Sequence, residues 1–556
     1  MIKSLTLRFG KAPTLSPQTI DATSVTVFVG PNNSGKSKVL QEIFRYVTSG
    51  QQSTNDVILD KITFEPLTKT VAEDRITAVT LRPHFGETVL PDNVIIGRKS
   101  VRNNVSHDRL LRVLTDPDSE PVVLCGWYLS FNTLMLDGKS RIGLVQQQPA
   151  GDLQAPPQTS LQALFRDDVR RAELRRIIHD AFGIHLVIDP TFLGQLRLRL
   201  SAEAPPSDFV ERGIHDDAVQ FHSKALLVDF GSDGLKAFTG MMTEIVAGDP
   251  EILLIDEPEA FLHPALAFLL GKELARASAK AHKRLFVSTH SPSFVMGCVQ
   301  SGAPITLVRL TYKHNAPTAR VLASADILRL MRNPLLRSTG VLTGLFYESV
   351  VVTESDADRA FYQEINERLL RHKPEWGVPN CLFINAQNKQ TVPTILKPLR
   401  QLGIPAVGIV DVDVIKEGGA VWSSIMNGAF LPQLEQQSLA TLRSAAKAKF
   451  DLAGKDMKRE GGVMLLDPSD REAVENLFAR LAEYGLFIVP GGELESWLPS
   501  LGAAGHGPQW LVTVFEKLGE DPDSDEYMKP QIGDVWEFLG AVKEWLNDPL
   551  RKGIPT

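Results

Sequence analysis

One segment of the chain has the residue types and the spacing that phosphate binding requires. Its glycines let the backbone curl so that N–H groups point at phosphate oxygens, its lysine supplies positive charge, and its last hydroxyl can ligate Mg²⁺. An apolar strand, Ser24 to Val29, precedes the segment, and a helical pattern begins near Ser37. The helix N-terminus adds a favourable dipole. The order of strand, glycine loop and helix predicts an ATP-binding P-loop made of Gly30, Pro31, Asn32, Asn33, Ser34, Gly35, Lys36 and Ser37.

Polar residues at the ends of two further apolar strands complete the predicted nucleotide site. Ile252 to Ile255 reads as a buried strand that ends in Asp256 and Glu257. Asp256 can hold Mg²⁺ through water, and Glu257 can orient the attacking water as a general base. Leu285 to Ser288 leads to His290, which can reach the γ-phosphate from its strand end. Beside a P-loop, this interpretation is favoured over solvent-facing acids and a structural histidine.

Carboxylates also follow three apolar strands in the C-terminal half. These are Glu354 after Ser349 to Thr353, Asp411 and Asp413 after Val407 to Val410, and Glu493 and Glu495 after Leu486 to Val489. In an open parallel sheet such strand ends form the ligand crevice, and residues two apart on a strand point the same way. Like charges repel, so a cluster of this kind needs cations, and hard oxygen ligands suit Mg²⁺ or Mn²⁺. The alternative is that each acid merely caps a strand or helix.

Length, composition and charge indicate what kind of protein carries these groups. The chain has 556 residues, enough for about three or four folded units, and its 43% hydrophobic and 22% charged content is typical of globular proteins. The net charge of -7 shows no global basic excess, so DNA contact must come from a local basic patch or through metal ions. Three widely spaced cysteines fit no zinc or disulfide pattern. With no signal peptide or membrane segment in view, we expect a cytoplasmic protein.

Alternating strands and helices predict an α/β fold with parallel sheets and crossover helices. We place domain boundaries so that residues 1–345 form one domain, 346–500 a second and 501–556 a mixed helical extension. Pro121 to Phe131 and Thr133 to Val145 read as strands, and Ala225 to Phe230 as another. Within a helical insertion at about 150–220, Leu161 to Phe182 is charged and helical in period. It is either a dimerisation arm or, as we favour, a solvated surface helix.

The first block resembles the ABC-type ATPases of the SMC-like group over about residues 1–340. The resemblance implies a signature motif around Ser232 and Gly234, a D-loop at Glu259 to His263, catalytic Glu257 and a switch histidine at His290. It also implies a homodimer or higher homo-oligomer, because two heads of this group sandwich ATP and the signature acts in trans. The signature departs from the common Leu-Ser-Gly-Gly form. The Q-loop glutamine is expected among Gln146, Gln147 and Gln148.

The second block resembles the TOPRIM fold, and the complete layout resembles the OLD (overcoming lysogenization defect) family of nucleases. Serine at position 355, where the TOPRIM pattern usually has glycine, is a departure. The resemblance implies a divalent-metal centre that cuts DNA. By position, its metal ligands are Glu354, Asp358, Asp411, Asp413 and Glu495, with Glu493 as the alternative to Glu495. Glu354 and Asp411 are the catalytic acids, and Lys529 is the candidate for a lysine that stabilises the transition state.

The sequence therefore predicts an ABC-type, SMC-like ATPase head with a helical insertion, followed by a TOPRIM α/β domain. We expect an ATP-regulated, divalent-metal-dependent DNA endonuclease in bacterial anti-phage defence, acting with ATP and Mg²⁺ or Mn²⁺ and with a protein or RNA partner left open. The alternative function is an ATP-switched sensor or scaffold whose TOPRIM domain is non-catalytic or acts with a partner. A topoisomerase or primase is disfavoured, because no tyrosine-nucleophile domain or nucleotide-loading element is recognisable.

Overall fold

The computed structural model describes residues 1–556 except 13–14, 99–100, 155–156, 249, 314–315, 339 and 556. The described chain divides into two compact units, Met1–Leu328 and Arg329–Thr556. The domain boundary expected near residue 345 stays a prediction, since compactness alone does not define a domain.

The first unit combines strands and helices throughout its described residues. Its strands are β1 Ile2–Leu7, β2 Thr19–Asp21, β3 Val25–Val29, β4 Leu59–Phe64, β5 Asn93–Arg98, β6 Val101–Ser106, β7 Thr133–Leu136, β8 Gln148–Pro149, β9 His185–Asp189, β10 Gln195–Ser201, β11 Leu226–Leu227, β12 Ile252–Asp256, β13 Arg284–Ser288, β14 Ile305–Lys313 and β15 Ala316–Leu322. Its helices are α1 Lys36–Ser49, α2 Lys69–Val79, α3 His107–Thr115, α4 Pro121–Leu124, α5 Ser140–Gly143, α6 Ser160–Arg166, α7 Asp168–Phe182, α8 Asp208–Arg212, α9 Asp216–Ser223, α10 Asp233–Ala247, α11 Pro264–Lys280 and α12 Pro292–Gln300. The next helix, α13 Ser324–Arg332, contains the division point.

The central sheet of the first unit has the strand order β15-β14-β3-β13-β12-β7. β14, β3, β13, β12 and β7 run parallel, and β15 is antiparallel to β14. β3 is fully buried, which explains why its sequence is a continuous apolar run. The register pairs Asp256 with Ser288 and Ser288 with Phe28, so the ends of β12, β13 and β3 meet at one edge.

The remaining strands of this unit form smaller sheets. β1 pairs with β2 and β4, β5 pairs with β6, and β10 pairs with β8, β9 and β11. The charged stretch expected at Leu161 to Phe182 is two helices, α6 and α7, separated at Asp167. α7 is tied to α11 by the Lys280–Glu173 and Arg176–Glu273 ion pairs at 2.7 and 3.2 Å. The stretch is thus packed against the rest of the first unit, in line with the favoured surface-helix interpretation.

Three expected strands differ from the structure. Pro121 to Phe131 is helical: α4 is followed by a π-helical turn at Cys125–Leu129 and a 3-10 turn at Ser130–Asn132. A short, largely apolar run fits a strand and a buried helix equally well, and Pro121 at the first helical position starts the helix. Thr133 to Val145 keeps a strand only at Thr133–Leu136, and Ala225 to Phe230 only at Leu226–Leu227.

The second unit contains a parallel sheet flanked by helices. Within the described residues its elements are α14 Pro334–Ser338, β16 Ser349–Thr353, α15 Asp356–His372, β17 Cys381–Asn385, α16 Val392–Gln401, β18 Ala406–Val410, α17 Gly419–Gly428, α18 Gln433–Ala453, α19 Pro468–Ala482, β19 Leu486–Ile488, α20 Pro508–Leu518 and α21 Asp534–Asn547. The strand order is β17-β16-β18-β19, and every pair is parallel. α17, α18 and α19 fill the long connection between β18 and β19.

The expected C-terminal extension shares a hydrophobic core with the rest of this unit. Trp510 of α20 and Trp536 of α21 are buried with Phe361 and Tyr362 of α15. The indole N–H of Trp497 donates to the Tyr362 hydroxyl at 2.9 Å, which satisfies both polar atoms. Among the residues that the structure describes, every helix is too short or too polar to cross a membrane.

Candidate functional site

The P-loop connects β3 to α1 and has the backbone conformation that its glycines predict. Gly30 and Gly35 have φ angles of 146° and 91°. A Cβ at Gly35 would lie 2.6 Å from Ile58 Cδ1, and one at Gly30 would clash with the Leu310 carbonyl oxygen. The positive φ angles and these close contacts both favour glycine at the two positions. A loop without side chains there also lets its backbone approach phosphate closely.

Lys36 is held inside this loop. Its ammonium donates to the carbonyl oxygens of Gly30 and Pro31 at 2.9 and 2.7 Å, and the residue is 4% exposed. Burial lowers the pKa of Lys36 to about 8. Within the described residues the buried Ser34 hydroxyl has no hydrogen-bond partner. A buried cation and an unpartnered donor fit a bound phosphate chain, so ATP fits this loop.

Ser37 and Asp256 are in direct contact. The Ser37 hydroxyl donates to Asp256 Oδ1 at 2.9 Å, and the Ser288 hydroxyl donates to the same oxygen. The contact brings the first residue after the P-loop lysine to the end of β12. A hydroxyl and a carboxylate are hard oxygen donors, so the pair fits Mg²⁺.

Glu257 and His290 face each other beside this pair. The distance from His290 Nε2 to Glu257 Oε1 is 3.4 Å. Glu257 has a φ angle of 49°, and its N–H donates to the Ser288 carbonyl at 2.9 Å. Burial, and secondarily the charge of Lys36, lowers the pKa of His290. A half-exposed carboxylate next to a neutral imidazole is suited to accept a proton from water.

Glu259, placed in the D-loop but given no role from the sequence, joins the D-loop to His290. Its Oε1 accepts the Thr289 hydroxyl and the His290 N–H, each at 2.8 Å. Burial raises the pKa of Glu259. The carboxylate thereby fixes the backbone that carries His290.

Arg141 is a second residue that sequence reasoning missed. It is 1% exposed, and its Nη1 donates to the carbonyl oxygens of Asp256 and Glu257 at 2.9 and 2.6 Å. Its guanidinium carbon lies 6.0 Å from the ring centre of Phe261. Arg141 therefore holds the turn on which both acids lie, and no spacing rule connects it to them.

In the described part of the chain, none of the three candidate Q-loop glutamines is hydrogen-bonded to the P-loop or to the Asp256–Glu257 turn, and the Q-loop assignment stays a prediction. Gln148 belongs to β8, and its side-chain oxygen accepts the Leu161 N–H at 3.3 Å. Gln146 and Gln147 are exposed. From this part of the chain it is Arg141 that contacts the Asp256–Glu257 turn.

The expected signature residues lie at the N-terminus of α10. The Ser232 hydroxyl accepts the Leu235 N–H at 3.3 Å and so caps the helix. A Cβ at Gly234 would lie 2.6 Å from the Phe261 carbonyl oxygen, so the glycine allows α10 to approach the D-loop closely. In the described part of the chain neither residue is hydrogen-bonded to the P-loop. Their predicted action on ATP in trans stays a prediction.

In the second unit, Glu354, Asp411 and Asp413 converge where β16 and β18 end. One carboxylate oxygen from each lies within 4.8 Å of the others, and Glu354 Oε1 accepts the Asp411 N–H at 2.8 Å. The reason for the convergence differs from the one expected. β18 ends at Val410, and Asp413 lies in a 3-10 turn at Val412–Lys416, so the turn and not strand alternation brings the two aspartates together.

The electrostatics of this group favour a cation. Burial and the neighbouring carboxylates raise the pKa of both Glu354 and Asp411. Among the described atoms, Asp413 Oδ1 is buried without a hydrogen-bond partner. Three converging carboxylates with an unused oxygen fit a hard divalent cation such as Mg²⁺ or Mn²⁺.

A second group contains Glu493, Glu495 and His506, whose candidate ligand atoms also lie within 4.8 Å of one another. His506 Nδ1 is 2.7 Å from Glu495 Oε1, which also accepts the Gly507 N–H at 2.6 Å. Both glutamates considered as alternatives from the sequence thus face this group. His506 stands outside any recognised motif and was not foreseen.

Two lysines contact the acids where Lys529 was expected. Lys458 Nζ lies 2.7 Å from Asp411 Oδ2, and Lys389 Nζ lies 2.8 Å from Asp413 Oδ2. Lys529 is exposed and, in the described part of the chain, forms no ion pair with these carboxylates. Its role stays a prediction. Lys458 and Lys389 come from loops without any motif that would have revealed them.

Asp358 has a structural role at the start of α15. Its Oδ2 accepts the N–H and the hydroxyl of Ser355 at 2.9 and 2.6 Å, and the Ser355 hydroxyl accepts the Asp358 N–H. This reciprocal pattern is a capping box. Asp358 belongs to neither of the two groups of converging atoms found among the described residues, and its role as a metal ligand stays a prediction.

Two family models match the chain. The model described as "AAA domain, putative AbiEii toxin, Type IV TA system" matches residues 173–296, and "Overcoming lysogenization defect protein-like, TOPRIM domain" matches residues 345–413. The layout expected from the resemblance, an ATPase domain followed by an OLD-like TOPRIM domain, is confirmed. The α/β fold class is confirmed with it, whereas the assignment of the ATPase to the ABC type stays a prediction.

Solved structures of SMC heads are also similar to part of the chain. An SMC head bound to the C-terminal winged-helix domain of ScpA has 14% identity over 59% of this chain and 99% of that one, with a TM-score of 0.34. The SMC head domain from Thermotoga maritima has 16% identity over 58% and 99%, with a TM-score of 0.29. None of the curated proteins matches the sequence.

Proposed function

We propose that the protein is an ATP-regulated, divalent-metal-dependent DNA endonuclease that works as a homodimer. The observation that carries the proposal is the convergence of Glu354, Asp411 and Asp413, with a buried unpartnered oxygen, at the carboxyl edge of the second sheet. Acids that only capped strands and helices would have no reason to meet against their mutual repulsion. The OLD-like TOPRIM match supports DNA as the substrate.

Different residues of the second unit would bind the metal and the DNA phosphate during phosphodiester hydrolysis. Glu354, Asp411 and Asp413 would hold Mg²⁺ or Mn²⁺, with the Glu493, Glu495 and His506 group beside them. A bound cation activates water and neutralises charge on the scissile phosphate. Lys458 and Lys389 lie against Asp411 and Asp413, so their positive charge would become available to an anionic substrate once a divalent cation occupies the carboxylates.

The first unit would supply regulation. Lys36 and the P-loop N–H groups bind the phosphates of ATP, Ser37 and Asp256 hold Mg²⁺, and Glu257 takes a proton from the attacking water while His290 faces the γ-phosphate. Ser232 and Gly234 would complete the ATP site of a second copy, which makes hydrolysis dependent on the dimer.

A plasmid assay tests the endonuclease. Supercoiled DNA is incubated with Mg²⁺ or Mn²⁺, with ATP, ADP or a non-hydrolysable analogue, and phosphate release is measured on the same preparations. We expect nicked or linear DNA from the wild type, and loss of cutting with retained ATP hydrolysis in the Glu354→Ala, Asp411→Ala double variant. Asp356→Ala, an exposed acid at the start of α15, is the matched control.

The outcomes separate the candidate functions. Relaxed closed circles would indicate a topoisomerase, and unchanged DNA under every condition would favour the ATP-switched sensor. Metal-dependent cutting that survives in the double variant would refute the assignment of these acids. The anti-phage role is tested by plaque counts on bacteria that carry the wild type or the double variant, and equal counts would contradict it.

A further inference from the structure

Lys458 lies between the two groups of carboxylates in the second unit. Its ammonium is 2.7 Å from Asp411 Oδ2 in the first group and 3.9 Å from Glu493 Oε2 in the second. Its side chain is 30% exposed, so it can reach solvent or a ligand. Of the described lysines, it is the one that forms ion pairs with both groups.

The backbone around Lys458 is built against the loop that carries the second group. A Cβ at Gly492 would clash with the Lys458 carbonyl oxygen, so only glycine allows this approach. The N–H of Val463 donates to the Pro490 carbonyl oxygen at 2.9 Å, which ties the same segment to the same loop. The position of Lys458 is therefore a feature of the fold and not the chance orientation of a surface side chain.

A cavity of about 310 Å³ opens at this point. Its lining includes two basic residues, Lys458 and Arg459, and two acidic residues, Glu493 and Glu495. A phosphodiester held near the carboxylates by a divalent cation would also be within reach of positive charge in such a cavity.

The two groups, Glu354, Asp411 and Asp413 together with Glu493, Glu495 and His506, are called the carboxylate centre from here on. We propose that Lys458 has two successive roles in this centre. Without metal it is the resident counter-ion of Asp411, and a divalent cation must displace it. Once displaced, it acts with Arg459 as the phosphate-binding element of the site. The second role rests on the proposed endonuclease function, and the first does not.

If Lys458 is the counter-ion of Asp411, its removal should strengthen metal binding rather than weaken it. Removal of a ligand or of a supporting residue ordinarily weakens metal binding. Removal of Lys458 instead takes away a competing positive charge and leaves the carboxylates with more uncompensated negative charge, which strengthens their attraction for a cation. Cleavage should nevertheless fall, because the displaced ammonium is no longer available to the phosphate.

The first measurement is Mn²⁺ binding to the full-length protein by electron paramagnetic resonance, without DNA or nucleotide. We expect Lys458→Met to bind Mn²⁺ about tenfold more tightly than the wild type, the order expected for loss of one nearby charge at partial screening. Lys458→Arg keeps the charge and should bind like the wild type. Lys455→Met removes an exposed lysine three positions earlier and is the matched control.

The second measurement is plasmid nicking at saturating Mn²⁺. We expect Lys458→Met to nick about 10²-fold more slowly in spite of its tighter metal binding, the size expected for loss of a charged group at the developing charge. Lys529→Met is tested beside it as the competing candidate. Lys455→Met should nick at the wild-type rate.

Each outcome decides part of the proposal. Unchanged or weaker Mn²⁺ binding in Lys458→Met overturns the counter-ion role. Full nicking in Lys458→Met, with loss in Lys529→Met, overturns the phosphate role and assigns it to Lys529. If the wild type itself leaves DNA intact under every condition, the endonuclease proposal and the phosphate role fail together, while the Mn²⁺ measurement still decides the counter-ion role.

Discussion

The nucleotide site and the carboxylate centre each contain a lysine, and the two lysines have opposite surroundings. Lys36 donates to neutral carbonyl oxygens of the P-loop, and burial lowers its pKa. Lys458 contacts the carboxylates of Asp411 and Glu493. Burial alone would lower the pKa of Lys458, but Asp411, Asp413 and Glu354 raise it overall. The hydrogen bonds of Lys36 go to uncharged carbonyl oxygens, so its positive charge is available to an anion. Lys458 is instead paired with carboxylates and serves as their cation.

The contrast separates two ways of preparing a charged site. In the P-loop, the anion-binding groups are fixed by backbone conformation, so the ligand fills a preformed cradle. In the carboxylate centre, like charges are brought together at a cost that a cation must offset. Metal affinity at the carboxylate centre should therefore stay unchanged when a catalytic residue of the nucleotide site is replaced.

The largest expected effect is on hydrolysis in the nucleotide site. Glu257→Gln keeps the shape of the side chain but removes the proton acceptor, so ATP turnover should fall by about 10²-fold or more. ATP affinity, measured with a fluorescent analogue, should stay near wild type, and so should Mn²⁺ affinity at the carboxylate centre. Turnover at the wild-type rate would defeat the assignment of Glu257.

A smaller effect is expected from Arg141, which positions the acids without touching ATP. Arg141→Ala should lower kcat about tenfold or more, because the Asp256–Glu257 turn loses both donors to its carbonyl oxygens. KM for ATP should change little, and added guanidinium should restore part of the rate.

A merely structural role for Arg141 predicts a different pattern. Loss of folding would lower the amount of active protein, leave kcat per active site unchanged, and not respond to guanidinium. The fraction of ATP-binding protein in each preparation is therefore the control.

The pH dependence of ATP binding sharpens the comparison of the two lysines. The pKa of Lys36 is lowered to about 8, and bound phosphates favour its charged form, so binding above about pH 8 must take up a proton. We expect Kd for ATP to rise by up to about tenfold per pH unit above pH 8 and to be flat below it. Titration calorimetry from pH 6.5 to pH 9.5 measures this, and Lys36→Arg should remove the rise because arginine stays charged.

The two centres also differ in how much of them the sequence could predict. The P-loop is a contiguous motif, so eight neighbouring residues and one strand–loop–helix context defined it. The acids of the second centre were found because each follows an apolar strand, but the turn at Val412–Lys416 that joins Asp411 to Asp413 was not. The sequence could not identify Lys458 or His506, because both lie in loops far along the chain from Glu354 and Asp411. Lys458 belongs to the connection between β18 and β19, and His506 follows β19, so only the folded structure brings them to the acids.

In the first unit, too, some features could not be predicted from the sequence because they depend on the backbone. Arg141 acts on carbonyl oxygens, which every residue has, so no pattern of side chains points to it. The stretch from Pro121 to Phe131 is largely apolar, and its pattern does not distinguish a strand from a buried helix. The parallel strands were predictable because each is an apolar run and is followed directly by the glycines or acids that belong to a site at the strand end.

The smallest expected effect decides whether Asp358 belongs to the carboxylate centre or only to the fold. Asp358→Ala removes the capping box of α15 and should lower the free energy of unfolding by about 1 kcal/mol, as measured by urea denaturation. Asp358→Asn keeps an oxygen that accepts from Ser355, so it should recover most of that stability. Mn²⁺ affinity should stay within about threefold of wild type in both variants, well inside the loss that removal of a ligand causes. A stable Asp358→Asn variant with Mn²⁺ binding reduced by an order of magnitude or more would place Asp358 among the metal ligands, as the resemblance implies.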